Sequence, residues 1–329
     1  MSEWKTFRRK IETFGFRLAF ALVPLIPRPL VWPLSRVLGW AAYWLDRPDR
    51  RIALTNLAFA LGGELCGRKR AQIARASFQQ FALTIIDSVW CRNLKPTNIR
   101  RHMEYAEGSL ALYDQLAARG KGVIFLGMHY GNYEWMSLGF GFHGYKANIV
   151  VQELRNPGVN ALFNEVRVRC GHNLIYRKGA AIKLFKALKR GEPLGLLVDL
   201  NINDWEGPIP ARLFGKWIHA NPLPAALAIR TGAALLVTRT YWCQKRKKYV
   251  SEFGPEIKWT PAATGEETIR AITDDYLRVF EHMIREKPEQ WLWSYKRWKF
   301  RPTQEPGGYP YYSRYSKVLS GLDPNVTQS

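Results

Sequence analysis

Cysteine is scarce. The four in 329 residues, at positions 66, 91, 170 and 243, form no C-x-x-C pair. That excludes a disulfide framework and a zinc knuckle. A reducing compartment fits, with each cysteine a small apolar packing residue. Acid is scarce too: 27 Asp and Glu against 49 Lys and Arg leave a formal charge of +22. A chain so short of acid calls for an anionic partner, whether nucleic acid, an acidic lipid surface or an acidic protein. No helix-turn-helix, RNP or zinc pattern accompanies the charge, so nucleic acid is not expected. No repeat or low-complexity tract is present, and 47% hydrophobic residues exclude wholesale disorder.

No N-terminal apolar run is long enough to cross a bilayer cleanly. Leu18 to Ile26 is about half of the roughly 20 residues that a span requires. Pro24, Pro27, Pro29 and Pro33 interrupt it, Arg28 and Arg36 add charge, and no small-residue cleavage site follows. The expectation is an uncleaved re-entrant or interfacial anchor, with Trp4, Trp32, Trp40 and Trp44 at headgroup level. A single span and a hairpin buried against the rest of the protein stay open as alternatives.

What is present is an alternation. Residues 49–95 read as helices; after them, apolar runs at 123–126, 148–151, 194–198 and 234–238 alternate with helical stretches at 107–119, 132–141, 157–170, 180–190 and 222–231. The pattern predicts an α/β fold with a largely parallel central sheet flanked by helices, after an N-terminal helical membrane-anchoring region. Glu266 to Glu286 repeats apolar residues at helical spacing and predicts one long helix. Three regions are expected: an N-terminal helical, membrane-associating region over 1–95, an α/β domain over 96–301, and a polar tail over 302–329. The tail has no core-forming period, which suggests a surface strap or partial disorder.

The stretch GVIFLGMHYGNYEW, from Gly122 to Trp135, carries the chemistry. Ligands of open α/β sheets gather beyond the carboxyl ends of strands. His129 stands two residues past Gly127, where the chain leaves the apolar run. Gly131-Asn132 can start a helix, which places Glu134 in its first turn. A carboxylate there can reach back to the imidazole, fix its tautomer and leave the other nitrogen free as a base. Backbone N–H groups of the same turn point at that space. His102 and Glu107 have identical spacing but precede their apolar run, and His102 reads as a surface residue. Two further ties stand. Arg167 and Arg169 flank the apolar stripe of their helix almost symmetrically. Asp199 ends the run Leu194–Val198 and could be a site residue or a turn cap.

Several blocks in order give this pattern a family. HYGNYEW after an apolar strand resembles the H-x4-(D/E) block of the lipid A biosynthesis (late or secondary) acyltransferases, within the lysophospholipid-acyltransferase-like superfamily. RNPGVNALFNEVRVRCG, YRKGAAIKLFKALKRGEPLGLLVD, RLFGKW and PEQWLWSYKRWK resemble its later blocks, so the similarity runs over roughly residues 10–300. Two departures are visible: Leu200 where the family commonly has Gln, and Tyr295 where it often has His.

The resemblance implies a glycerolipid-acyltransferase-like fold and an enzyme. It would transfer a fatty acyl chain from acyl carrier protein, sometimes coenzyme A, to a hydroxyl of a membrane glycolipid such as a lipid A precursor. A hydroxyl must lose its proton as it attacks a thioester, so His129 would be the general base, oriented by Glu134. The oxyanion donors would be backbone N–H groups near Gly131 and Asn132, or a nearby arginine, for which the resemblance favours Arg167. Arg177 could hold a substrate phosphate or pair with an acid, and Asp199 is a candidate binding residue. No metal and no bound cofactor are expected, only acyl carrier protein or acyl-coenzyme A as co-substrate. The expected setting is the cytoplasmic face of a cell inner membrane, with a monomer meeting acyl carrier protein and anionic lipid. An acyl-coenzyme A-dependent acylation of a mannosylated phosphatidylinositol or other lysolipid is the alternative, and a non-catalytic lipid-binding envelope protein the contrast. The tryptophans at 291, 293 and 298, with Lys296, Arg297 and Lys299, read as an interface or headgroup cluster.

Overall fold

The computed structural model describes residues 3–304 and 308–322. Its N-terminal part is helical: α1 (Glu3–Leu22), α2 (Arg28–Leu45), α3 (Arg47–Leu61) and α4 (Gly67–Trp90). Most prolines here begin helices. Pro27 caps α2, and Pro29 and Pro48 stand in the first turns of α2 and α3, where a missing N–H is harmless. Pro33 falls inside α2.

The rest alternates as expected: β1 (Met103–Tyr105), α5 (Ser109–Ala117), β2 (Val123–Gly127), α6 (Tyr133–Phe142), β3 (Asn148–Val151), α7 (Pro157–Val168), β4 (Asn173–Tyr176), α8 (Ala180–Lys189) and β5 (Leu194–Leu197). Then come β6 (Ile209–Leu213), β7 (Lys216–Ala220), α9 (Leu223–Thr231), β8 (Ala234–Cys243), β9 (Lys248–Glu256) and α10 (Gly265–Glu286), and last β10 (Phe300–Arg301) and β11 (Arg314–Tyr315). One sheet runs in the order β1-β9-β8-β2-β5-β3-β4. All its pairs are parallel except β8 with β9. This is an α/β fold with a mostly parallel sheet between helices.

β2 lies between β8 and β5, and every residue in it is buried. Each apolar side chain so buried contributes roughly 1.5–3 kcal/mol, which holds the end of this strand in place. β6 and β7 form a separate hairpin across the two-residue turn Phe214-Gly215. Both turn residues have positive φ, as a tight hairpin requires. Phe214 tolerates it because its ring is buried against Trp291, Trp293 and Trp298.

The tail is more than a strap: β10 pairs with β11, and Leu319 is buried with Trp217 and Phe300. Residues 305–307 and 323–329 of the expected polar tail lie outside the described residues.

Among the described residues, no helix is long and apolar enough to cross a membrane. α2 is two-faced. Val31, Ser35, Gly39 and Tyr43 are buried, at four-residue spacing on one side. Leu30, Val37, Leu38, Trp40, Trp44 and Leu45 are exposed. Gly39 meets α4 so closely that a Cβ there would stand 2.3 Å from Gln79 Cα. Trp32 departs from the expected headgroup set and stacks on Trp242 at 5.6 Å. Arg28 turns inward, paired with both oxygens of buried Asp87 and sitting over the rings of Trp90, Trp135 and Trp242. Cys91 and Cys170 are buried packing residues, whereas Cys66 is exposed.

Candidate active site

After Gly127 the chain turns away from β2, and a short detour sets the position of His129. Tyr130 bridges Trp291, and Gly131 bridges Thr240 of β8. Gly131 has φ +53°, and a Cβ there would lie 1.9 Å from Thr240 O. Only glycine fits. Asn132 then caps α6, its side chain accepting from Trp135 N at 3.0 Å. Thr84 of α4 holds the turn from the other side by donating to Gly131 O at 2.8 Å.

His129 Nδ1 is bonded to Asp199 Oδ1 at 2.8 Å. The sheet explains the meeting: β2 and β5 are parallel neighbours, and Val198 N donates to Gly127 O at 3.0 Å. The residue two steps past β5 therefore falls beside the residue two steps past β2. Asp199 is 3% exposed. Its second oxygen accepts from Trp291 Nε1 at 3.1 Å and faces Arg297 Nη2 at 3.2 Å. Burial alone would raise its pKa, but the Arg297 guanidinium and His129 outweigh burial and hold it well below the usual carboxylate range. A buried carboxylate that stays ionised keeps the proton on His129 Nδ1 and leaves Nε2 free to accept one.

The expected orienting role of Glu134 is therefore corrected. Glu134 stands in the first turn of α6 but accepts two bonds from Arg167, from Nε at 3.0 Å and from Nη2. Its oxygens are occupied there, and Nδ1 of His129 already has its carboxylate. Burial works against the charge on Arg167, but the Glu134 carboxylate prevails and raises its pKa. Of the two arginines, Arg167 lines a cavity with His129 and Glu134, while Arg169 donates to the carbonyls of Arg92 and Leu94. The amides of Gly131 and Asn132 themselves are spent. Gly131 N donates to Gln290 O at 2.7 Å and Asn132 N to Thr240 O at 3.2 Å.

His129 lines three cavities. The first, of about 270 Å³, is an apolar channel walled by Phe125, Met136, Phe140, Ile149, Gly195 and Phe253, with Glu134 and Arg167 among its polar residues. The second, of about 550 Å³, is a groove with Arg177, Asn201, Glu206 and Asn221. Arg177 is paired there with Glu206. The third is a recess of about 10 Å³ between α4 and the Gln290–Leu292 segment.

His102 is half-buried, edge-on to Trp90 and Trp135, and burial pushes its pKa down to about 4. It is not the surface residue expected. Sequence reasoning also misplaced the C-terminal tryptophans. Trp291, Trp293, Trp298 and Arg297 are at most 2% exposed, and Trp291 and Arg297 meet Asp199, while Lys296 stays outside. Their signal was the W-x-W spacing, which puts two tryptophans on one side of an extended segment. Among the described residues, no group of three or more His, Cys, Asp or Glu could hold a metal ion.

An oriented imidazole at the mouth of an apolar channel has the chemistry needed to move an acyl chain to a nucleophile whose proton must be removed. No curated protein matches the chain. Residues 5–300 match the bacterial lipid A biosynthesis acyltransferases. The chain belongs to that family, and it is an acyltransferase.

Proposed function

We propose that the protein moves a fatty acyl chain from acyl carrier protein to a hydroxyl of a membrane glycolipid, such as a lipid A precursor. The observation that carries this reading is His129, held by Asp199, at the junction of the apolar channel and the wider groove. The acyl chain lies in the channel with its thioester at His129. Nε2 takes the acceptor hydroxyl's proton as the oxygen attacks the carbonyl carbon. The tetrahedral intermediate expels sulfur, and the imidazolium returns its proton to the thiolate. Glu134 holds Arg167 beside the channel, where its charge favours the developing oxyanion. In the groove, Arg177 would exchange its partner Glu206 for an acceptor phosphate.

Two surfaces support the partners. Lys183, Lys186, Lys189 and Arg190 are exposed on or next to α8, whose first turn borders the groove, and suit an acidic carrier protein. Exposed Trp4, Phe7, Ile11 and Phe14 of α1, the outer face of α2, and Phe81 and Ile85 of α4 suit an interfacial seat on the cytoplasmic face of an inner membrane. We read the protein as a monomer.

The test is a reaction of purified protein with acyl carrier protein or coenzyme A thioesters and candidate glycolipids, read by mass spectrometry. A single acyl increment on the glycolipid is expected, absent in His129→Ala. The carrier-bound donor should be preferred, with kcat/KM falling steeply as salt rises. Equal use of acyl-coenzyme A at all salt concentrations, with a mannosylated phosphatidylinositol or lysolipid as acceptor, would favour the other donor and acceptor class.

Chain length should follow the channel. A Cβ on Gly195 would reach 2.8 Å from Ile149 Cδ1, the mobile end of a side chain on the channel wall. Gly195→Val is therefore expected to fold and to shift the preferred donor to a shorter chain. Competition between donors of different length measures it; an unchanged preference would show that the chain lies elsewhere.

A further inference from the structure

The reaction places negative charge on the thioester oxygen, and a donor must meet it. The backbone amides of Gly131 and Asn132 cannot, since both are bonded within the protein. The recess shared by His129 and Tyr133 with α4 offers another donor. Its walls are Ser77, Gln80, Phe81, Thr84, Gly131 and the Gln290–Leu292 segment. At about 10 Å³ it admits one water-sized atom and no chain.

Most polar groups around it are committed. Ser77 Oγ donates to Ala74 O, and Thr84 Oγ1 lies within bonding distance of both Gln80 O and Gly131 O. Gln290 Oε1 accepts from Trp242 N, and Leu292 N donates to His129 O. Gln80 differs. It is 5% exposed, and its Nε2 has no hydrogen-bond partner among the described residues. A buried amide donor without an acceptor costs about 1–3 kcal/mol, so its place in a fold needs a reason. Here the reason is an oxygen that arrives with the substrate.

We propose that Gln80 Nε2 donates to the thioester carbonyl oxygen as it becomes an oxyanion, with the recess as the oxyanion hole. The inference rests on the acyl-transfer reading above and adds a catalytic residue to it. His129 and Tyr133 are walls of both the channel and the recess. An acyl chain in the channel, with its carbonyl carbon at His129, sends its oxygen into the recess. The hydroxyl proton goes to His129, electron density moves to the oxygen at Gln80, and expulsion of sulfur returns it. The N–H to oxygen bond strengthens as charge builds, so its effect belongs to kcat more than to KM.

The experiment compares wild type with Gln80→Met, which keeps the shape, and Gln80→Glu, which removes the donor and adds charge. Both are expected to lose about 10²–10³-fold in kcat, with the KM of each substrate within about threefold. Gln80→Met should melt no lower than wild type, because an unpaired buried donor is replaced by an apolar group. Transfer by wild type with kcat for Gln80→Met and Gln80→Glu within about threefold of it would overturn this inference alone. So would a loss confined to KM, or one that appears in Tyr133→Phe and not in the Gln80 variants. No acyl transfer by wild type to any glycolipid or lysolipid would overturn the proposed function, and this inference with it.

Discussion

Asp199→Asn is expected to lower kcat by between about a hundredfold and ten-thousandfold, as much as His129→Ala. The reason is local. One donor, Trp291 Nε1, and the positive charge of Arg297 both face Asp199 Oδ2. An asparagine here must turn its oxygen toward them, which aims its NH2 at His129 Nδ1. The imidazole then accepts at Nδ1 and carries its proton on Nε2, the tautomer that cannot take a proton from the acceptor. The fold should survive, since the shape and the Trp291 bond are kept. Removing both groups together should cost no more than removing His129 alone, because they act as one unit. Glu134→Gln and Arg167→Met should form a second such pair, additive with the first. Asp199→Asn with near-normal kcat would return the orienting role to Glu134.

The largest loss of stability is expected from Arg28→Met. Asp87 is fully buried, donated to by Tyr249 OH at 2.7 Å and paired with Arg28. Burial pushes its carboxyl pKa up even against the pull of Arg28. Without Arg28 the carboxylate stands uncompensated, a loss of about 3–5 kcal/mol. The pH dependence has a definite sign. A folded-state carboxyl with a raised pKa binds protons where the unfolded chain does not, so stability rises as pH falls through that pKa toward the ordinary carboxylate range. The deficit of Arg28→Met should therefore shrink as the solution is acidified from neutral pH. Chemical denaturation at several pH values measures it. Arg28→Met with Asp87→Leu should recover much of the loss. A deficit that grows on acidification would mean that Asp87 is not the group left exposed.

The parts of this fold that sequence reveals are those whose signal is local. The apolar runs of β2, β3 and β5 end where their strands end, within about a residue, whereas β8 continues past its run to Cys243. His129 was legible because a strand stops just before it. Its partner was not, since register between β2 and β5, not spacing along the chain, brings Asp199 to it. An acid five residues away looked sufficient, yet α6 directs Glu134 toward α7 and Arg167. The aromatic and basic segment at 291–299 misled for a related reason. Tryptophan and arginine look alike in sequence whether they face lipid or neutralise a buried carboxylate, and here Arg297 does the second. Gln80 gave no sequence signal, because what distinguishes it is an absent partner.

The contact at Gly39 leaves no slack between α2 and α4, as their backbones touch without a side chain between them. The next residue after that contact on α4 is Gln80. A bilayer seated against the outer face of α2 would thus lie at a fixed height from the reacting atoms, with no hinge to vary it. The protein would then work as a depth gauge. Among chemically similar hydroxyls on one headgroup, it would acylate those at the right elevation above the acyl chains. Selectivity among positions would come from altitude as much as from recognition of the sugar.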